Sequence, residues 1–197
     1  GLMLGAIAGD MIGSVFEYSN FKSKDFPLFC EDSTFTDDTV LTVAVAHAIM
    51  TDGDYASALK SFGRKYPRRG YGGFFQEWLE SSESRPYNSW GNGSAMRVSP
   101  VGFAFDSVEE VLDEAKKSAE VTHNHPEGIE GAQATALAIF LARKGNDKND
   151  IRNEIEGRFG YILDRTVDKI RAAYTYDVSC IGSVPESIIA FLNSKDY

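Results

Sequence analysis

The chain has 197 residues, a formal net charge of −9 and a sequence pI near 4.8. Hydrophobic residues make up 43% of it, charged residues 25%, and only 6 residues are proline, which excludes low-complexity disorder, collagen and a disulfide scaffold. The acidic balance argues against general nucleic-acid binding, which needs clustered Lys and Arg, and no apolar run approaches the length of a membrane span.

The length is typical of one domain with a sizeable core, so we predict a single domain over residues 1–197. The two cysteines, Cys30 and Cys180, lie far apart and form no C-x-x-C pair. This spacing predicts free thiols in a reducing compartment rather than disulfides or zinc ligands. With no charged leader and no apolar span, the sequence predicts a cytoplasmic protein that does not bind membranes.

Helical periodicity dominates the chain, and long alternating β-branched runs are missing, which predicts an all-α fold. Ser107 and Glu110 match a capping box, and Pro126 is typical of a first helical position. Residues 82–99 have the composition of a loop. The predicted helices cover residues 2–16, 38–50, 55–66, 74–81, 108–121, 127–144, 150–158, 164–174 and 185–193.

The first predicted helix carries glycine at positions 5, 9 and 13, a stripe that predicts the close approach of another backbone. Asp10 and Glu17 are seven residues apart, almost two helical turns, so they would share one helix face beside this stripe. They are therefore candidate functional carboxylates. The alternative is that Glu17 lies in solvent past the helix end and that Asp10 pairs with a basic side chain.

The start of the second helix reads Thr36-Asp37-Asp38-Thr39. Helix capping accounts for one Asp and one Thr, and it is the alternative explanation for the whole segment. Two adjacent carboxylates repel each other unless a cation neutralises them. Four hard oxygen ligands on one turn suit Mg²⁺ or Mn²⁺, so the segment is a candidate metal site.

Two further segments are candidate ligand contacts. Residues 90–97 read WGNGSAMR, in which bare glycines before a helix start favour a phosphate or ribose cradle. The segment lacks the Gly-Lys-Ser/Thr of a Walker loop and the strand of a dinucleotide fingerprint, and a plain connecting loop is the alternative. Residues 122–126 read THNHP, where His123 could touch a substrate. A nuclease or zinc site is not favoured, because neither a ββα unit nor other ligands at zinc spacing are visible.

Taken in this order, four strings resemble the ADP-ribosylglycohydrolase family: GAIAGDMIGSVFE at residues 5–17, FTDDT at 35–39, WGNGSAMR at 90–97 and Thr122-His123. Each string alone is weak, whereas their joint occurrence is specific. The resemblance implies an all-α, single-domain fold whose cleft holds a two-metal Mg²⁺ or Mn²⁺ centre. It also implies hydrolysis of ADP-ribose from a modified protein side chain or a small ADP-ribosyl conjugate, by cleavage of the glycosidic bond at the ribose anomeric carbon.

The same resemblance assigns roles to residues of this chain. It implies metal ligands at Thr36, Asp37 and Asp38. Glu17, Asp37 and Asp38 would be catalytic, with Glu17 acting as acid or base. The implied substrate contacts are Asp10, Gly91, Asn92, Gly93, Ser94 and His123.

One departure from the family concerns the metal centre. Family members carry a late Asp-x-Asp-Thr segment with the remaining metal ligands, whereas this chain ends at Asp196-Tyr197 without it. We therefore expect a domain that is incomplete at its C-terminus and binds metal weakly. The alternative function is a catalytically inactive ADP-ribose or nucleotide binder, or a structural protein of the same fold. The intact Glu17, Asp37 and Asp38 argue against the structural role.

Overall fold

A computed structural model describes residues 3–195, in which the chain forms eleven α-helices and no strand. The predicted all-α fold is confirmed, while the predicted helix start at residue 2 lies outside the described residues. None of the described helices is both long and apolar enough to cross a membrane. The helices are α1 (Leu4–Gly13), α2 (Asp37–Met50), α3 (Tyr55–Lys65), α4 (Gly73–Glu80), α5 (Gly93–Met96), α6 (Ser99–Ala104), α7 (Val108–Glu120), α8 (Pro126–Arg143), α9 (Lys148–Phe159), α10 (Val167–Ala173) and α11 (Cys180–Asn193).

Helix α8 is the centre of the packing. It contacts α5, α6, α7, α9 and α11. Pro126 occupies its first turn, and the ring of His125 before it accepts a hydrogen bond from the backbone N–H of Glu127. Its buried residues are mostly glycine and alanine, which lets several neighbours approach its axis.

The closest of these approaches is at Gly131. A Cβ placed on Gly131 would lie 2.4 Å from Cys180 Sγ and 2.7 Å from Cys180 Cβ. Helix α11 can therefore pack on α8 only because position 131 has no side chain. This contact brings the start of α11 to the segment before α5, where the one isolated β-bridge of the described chain pairs Gly91 with Ser179.

Several predicted boundaries shift. The capping box of Ser107 and Glu110 is confirmed at the start of α7. Helices α5 and α6 lie in or beside the segment predicted as loop. Helix α11 begins five residues before Pro185, because the Ser179 side chain caps it by accepting a hydrogen bond from Gly182 N–H. The proline is therefore inside this helix rather than at its start.

The glycine stripe of α1 does not pack as the sequence suggested. A Cβ placed on Gly5, Gly9 or Gly13 would have no atom within 4 Å, and α1 contains no buried residue. The prediction of a close backbone approach at this stripe is wrong. Gly9 and Gly13 instead line an open cleft, because the polar contacts of Asp10 hold this face of the helix toward the start of α2.

Glycine to alanine substitutions on the two helices should therefore have opposite effects. Gly131→Ala is expected to lower the free energy of unfolding by about 1–3 kcal/mol, because its Cβ would overlap Cys180. Gly9→Ala should be neutral or stabilising by up to about 1 kcal/mol, since the helix gains propensity and nothing obstructs the new Cβ. Urea unfolding of both variants measures this. Equal losses at the two positions would contradict the packing described for α8 and α11.

Candidate active site

One cleft of about 990 Å³ gathers most of the sequence-predicted site residues. One wall consists of α1, the start of α2 and the turn at residues 68–73. The other consists of residues 87–97, His123 and the chain around the start of α11. The lining includes Asp10, Glu17, Thr36, Asp37, Asp38, Gly91, Asn92, Gly93 and His123.

The acidic wall is built around the carboxylate of Asp10. One oxygen, Oδ2, accepts from the backbone N–H of Thr36 at 2.8 Å and of Thr39 at 3.2 Å. The hydroxyls of Thr36 and Thr39 also donate to the carboxylate. Asp10 thus satisfies free backbone donors at the start of α2 and ties α1 to it. These bonds occupy the carboxylate, and the predicted contact of Asp10 with substrate stays a prediction.

The next two carboxylates, Asp37 and Asp38, are partly buried and have no basic partner among the described residues. Burial, followed by the charge of Asp38, raises the pKa of Asp37 from 3.8 to about 7. Burial, followed by the charges of Asp10 and Glu17, raises the pKa of Asp38 from 3.8 to about 6. Among the described residues, no basic side chain forms an ion pair with Asp10, Glu17, Asp37 or Asp38. This cluster would therefore be stabilised by a bound cation.

Glu17 reaches the cleft by a different route from the predicted one. Helix α1 ends at Gly13, and Glu17 lies in the turns that follow, where Phe16 packs against the rings of Phe21 and Phe26. The prediction that Asp10 and Glu17 share one helix face is wrong. Glu17 is exposed and accepts a hydrogen bond from the Tyr176 hydroxyl at 3.4 Å. Both carboxylates nevertheless line the same cleft.

The turn before α4 supports Asp37 from the opposite side. The backbone N–H of Asp37 donates to the carbonyl of Arg69 at 2.7 Å. The guanidinium of Arg69 lies 3.8 Å from the centre of the Phe35 ring. Gly70 has φ +96°, and a Cβ there would lie 3.1 Å from Asp37 Oδ1. Only glycine combines this backbone conformation with that clearance.

The facing wall is the glycine segment before and within α5. The backbone N–H of Asn92 donates to the carbonyl of Val178 at 2.8 Å, and Cys180 N–H donates to the carbonyl of Trp90 at 3.1 Å. The side chain of Asn92 donates to Ser183 Oγ at 3.1 Å. The segment is therefore anchored to the start of α11 and presents its glycines to the cleft.

Ser94 and His123 lie on different sides of this segment. Ser94 is fully buried, and its hydroxyl donates to the Gly128 carbonyl at 2.7 Å, so its side chain faces α8 rather than the cleft. His123 is only 5% exposed, yet it lines the cleft. A Cβ on Gly93 would lie 2.9 Å from His123 Nε2, so the ring packs directly against the glycine segment.

Sequence reasoning missed several residues of the cleft. Two exposed aromatic side chains outside the predicted site segments stand at its edge: Phe74 is 73% exposed and Tyr176 57%. Their isolated positions give no periodic signal, and single exposed aromatic residues are common on protein surfaces, so the sequence offered no way to find them. Gly70 likewise carries no signal of a ligand site in the sequence.

The metal donors present are few. Within residues 3–195, no group of three or more His, Cys, Asp or Glu side chains is arranged to hold a metal ion. The oxygen donors of Thr36, Asp37 and Asp38 come from one helix start.

The described chain is an all-α fold with carboxylates on one wall of a cleft and a glycine-rich segment on the other. The sequence model of the ADP-ribosylglycohydrolase family matches residues 1–194. The chain belongs to this family, and the resemblance seen in the sequence is confirmed.

The relatives that match include ADP-ribosylhydrolase ARH3 of Gallus gallus, 31% identical over 183 residues that cover 74% of this chain and 50% of the relative. ARH3 of Mus musculus is 30% identical and covers 83% of this chain and 56% of its own length. ADP-ribosylarginine hydrolase Tri1 of Pseudomonas putida is 25% identical over 76% of this chain and 48% of its own. The chain spans about half the length of these curated relatives.

A solved structure described as an ADP-ribosylglycohydrolase-related protein complex superimposes with a TM-score of 0.72. The match covers all of this chain and 75% of the solved one at 19% identity, and it supports the helical fold alone.

The carboxylate pair should make the chain more stable in mild acid. Because Asp37 has a folded-state pKa of about 7, raised from 3.8, the folded state keeps a proton that the unfolded state releases between these values. Stability therefore falls as pH rises through this interval. Asp37→Asn should raise Tm at about pH 7.5 by ~2 °C or more and reduce the gain that the unsubstituted chain shows at about pH 5.5.

Asp32→Asn is the matched control, because it removes the same charge from an exposed position. It should leave Tm nearly unchanged at both pH values. A lower Tm for Asp37→Asn at about pH 7.5 would show that the ionised Asp37 stabilises the fold, contrary to the account given.

Proposed function

We propose that this chain belongs to a metal-dependent hydrolase that removes ADP-ribose from a modified protein side chain or a related ADP-ribosyl conjugate. The bond broken would be the glycosidic bond at the ribose anomeric carbon. Support comes from the family assignment, from relatives named as ADP-ribosylhydrolases, and from the cleft. The observation that carries the proposal is the uncompensated carboxylate pair, Asp37 and Asp38, facing the glycine segment across one cleft.

The donor chemistry fits Mg²⁺ or Mn²⁺. Carboxylate and hydroxyl oxygens are the ligands that these cations prefer, and Thr36, Asp37 and Asp38 would hold the ion. A bound cation would lower the free energy of the ionised pair and orient ribose hydroxyls. The one-sided donor set supports weak binding by this chain.

Other residues of the cleft would accept a proton, stabilise the developing charge and bind the substrate. Glu17 is exposed and carries a carboxylate that can accept the proton of an attacking water. The water oxygen would bond to the anomeric carbon while the bond to the acceptor group breaks. One proton of the water would stay on the new ribose hydroxyl, and the proton accepted by Glu17 would pass to the leaving acceptor group. The positive charge that develops on the ribose ring would be stabilised by the neighbouring carboxylates. The Gly91–Gly93 segment would contact the ribose and diphosphate, with the backbone N–H of Gly93 as the donor, because those of Gly91 and Asn92 already donate to Ser89 Oγ and to the Val178 carbonyl.

The adenine would stack on an aromatic side chain at the cleft edge. Phe74 is 73% exposed and lines the cleft, with its ring centre 6.1 Å from that of Tyr87. A nucleobase has an apolar π face, so burying Phe74 against it would lower the free energy of the complex.

Calorimetric titration with ADP-ribose in Mg²⁺ tests the proposal. We expect saturable binding that Asp38→Ala weakens at least about tenfold, the effect of losing about 1.4 kcal/mol of interaction. Asp32→Ala is the control, since it removes an exposed carboxylate that does not line the cleft. The absence of ADP-ribose binding, with and without Mg²⁺, would contradict the proposal.

Turnover distinguishes the hydrolase from a binding protein. Arginine-linked and serine-linked ADP-ribosyl peptides should release free ADP-ribose when incubated with the chain extended through the missing metal segment, and a chelator should abolish this release. Binding without release from either peptide would favour the inactive ADP-ribose binder. Release that continues in chelator would contradict the metal dependence.

Phe74→Ala should weaken ADP-ribose binding by about 1–3 kcal/mol through the lost stacking. Its effect on ribose 5-phosphate, which has no base, should be small. Phe29→Ala is a suitable control because Phe29 is 54% exposed and lies outside the cleft. An equal loss for both ligands in Phe74→Ala would place the adenine elsewhere.

A further inference from the structure

A buried arginine lies behind the glycine segment. Arg97 follows α5 and is 0% exposed, and among the described residues no carboxylate pairs with it. Its Nη2 donates to the Ser118 carbonyl at 2.9 Å and to Thr122 Oγ1 at 2.8 Å. Its Nε and Nη1 have no hydrogen-bond partner in the described chain. Burying a cation in this way is costly, so its placement calls for an explanation.

The bonds of Arg97 set the direction of the next hydrogen bond. A guanidinium can only donate, so Thr122 Oγ1 accepts from it. The hydroxyl has a single proton, and His123 Nδ1 lies 2.7 Å from Oγ1. A Thr122 proton that points at Nδ1 is paired with an acceptor, which favours an Nδ1 that accepts over an Nδ1–H that donates to the second lone pair of Oγ1. A neutral imidazole that accepts at Nδ1 carries its proton on Nε2.

The surroundings of His123 keep the ring neutral. Burial, followed by the charge of Arg97, holds its pKa well below the usual 6.5. The other titratable side chain against the ring is Tyr87, whose ring centre is 5.9 Å away, and burial raises the pKa of this phenol to about 12. Both neighbours therefore leave the imidazole uncharged near neutral pH.

The protonated nitrogen faces the glycine segment. A Cβ on Gly93 would lie 2.9 Å from His123 Nε2, and one on Gly91 would lie 3.7 Å away. Within the described residues, Nε2 has no hydrogen-bond partner. Because residues 91 and 93 are glycines, Nε2 lies directly against the backbone of the cleft wall, where a neutral N–H can donate to a ligand.

We propose that Arg97 is a positioning residue that acts through Thr122 to hold His123 in its Nε2–H tautomer. His123 then donates one neutral hydrogen bond to an oxygen of the ligand at Gly91 and Gly93. The tautomer follows from this chain alone. The identity of the acceptor, a ribose or phosphate oxygen of ADP-ribose, rests on the proposed function.

Nitrogen-15 NMR of the histidine rings tests the tautomer directly. In the unsubstituted chain near neutral pH, His123 should show a protonated Nε2 and an unprotonated Nδ1. Thr122→Val keeps the side-chain shape but removes the hydroxyl, so Nδ1 loses its donor and the Nδ1–H form should become populated. Thr122→Ser restores a hydroxyl and should restore the Nε2–H form. A purely structural role for Thr122 would change stability without changing this pattern.

Two results would overturn the proposal. One is an Nδ1–H tautomer in the unsubstituted chain, which needs no variant to fold. The other is a folded Thr122→Val chain, verified by its thermal melt, that keeps the original tautomer.

Calorimetry with ADP-ribose separates the tautomer from the ligand. Thr122→Val should bind about tenfold more weakly, the effect of one lost hydrogen bond, while Thr122→Ser stays near the unsubstituted chain. If the unsubstituted chain has the Nε2–H tautomer but binds no ADP-ribose, the proposed function fails and the role of Arg97 stands. If ADP-ribose binds equally well to Thr122→Val, the hydrogen bond from His123 to the ligand is refuted.

Discussion

The carboxylate of Asp10 is the interaction on which the acidic wall depends. It accepts from both the backbone and the side chains of Thr36 and Thr39, across 26 and 29 residues of sequence. Helix α1 has no buried residue, so these polar contacts rather than apolar burial hold it against α2. They also fix the helix start that projects Asp37 and Asp38 into the cleft. An otherwise weakly packed helix thereby becomes one wall of a site.

Different interactions define the two walls of the cleft. The acidic wall accumulates like charges at partial burial, which raises the pKa of Asp37 and Asp38 and favours a cation. The glycine wall is held by backbone hydrogen bonds to the start of α11 and by the buried Ser94. Behind it lies the buried, positively charged Arg97, which pairs with no carboxylate of the described residues. The cleft therefore suits a ligand that carries both a cation-binding and an anionic part.

Glycine positions illustrate why local pattern and packing can disagree. The stripe at Gly5, Gly9 and Gly13 has regular spacing, yet it faces open space. Close contacts occur at other glycines instead, among them Gly131 against Cys180 and Gly93 against His123, neither of which belongs to that stripe. Spacing reports which residues share a helix face, whereas the neighbour of that face is set by parts of the chain far away in sequence.

The sequence by itself determined the all-α class, the capping box of α7 and the strings that carry the family, because these depend on short-range periodicity and on residue chemistry. Of the residues that the sequence assigned to the site, all but Ser94 line the cleft. Only the tertiary structure decided that α1 ends before Glu17, that Ser94 turns inward, and that Arg97, Thr122 and His123 lie within hydrogen-bond distance of one another in turn. Those outcomes require groups from separate helices to meet at hydrogen-bond distance, and no local pattern encodes such a meeting.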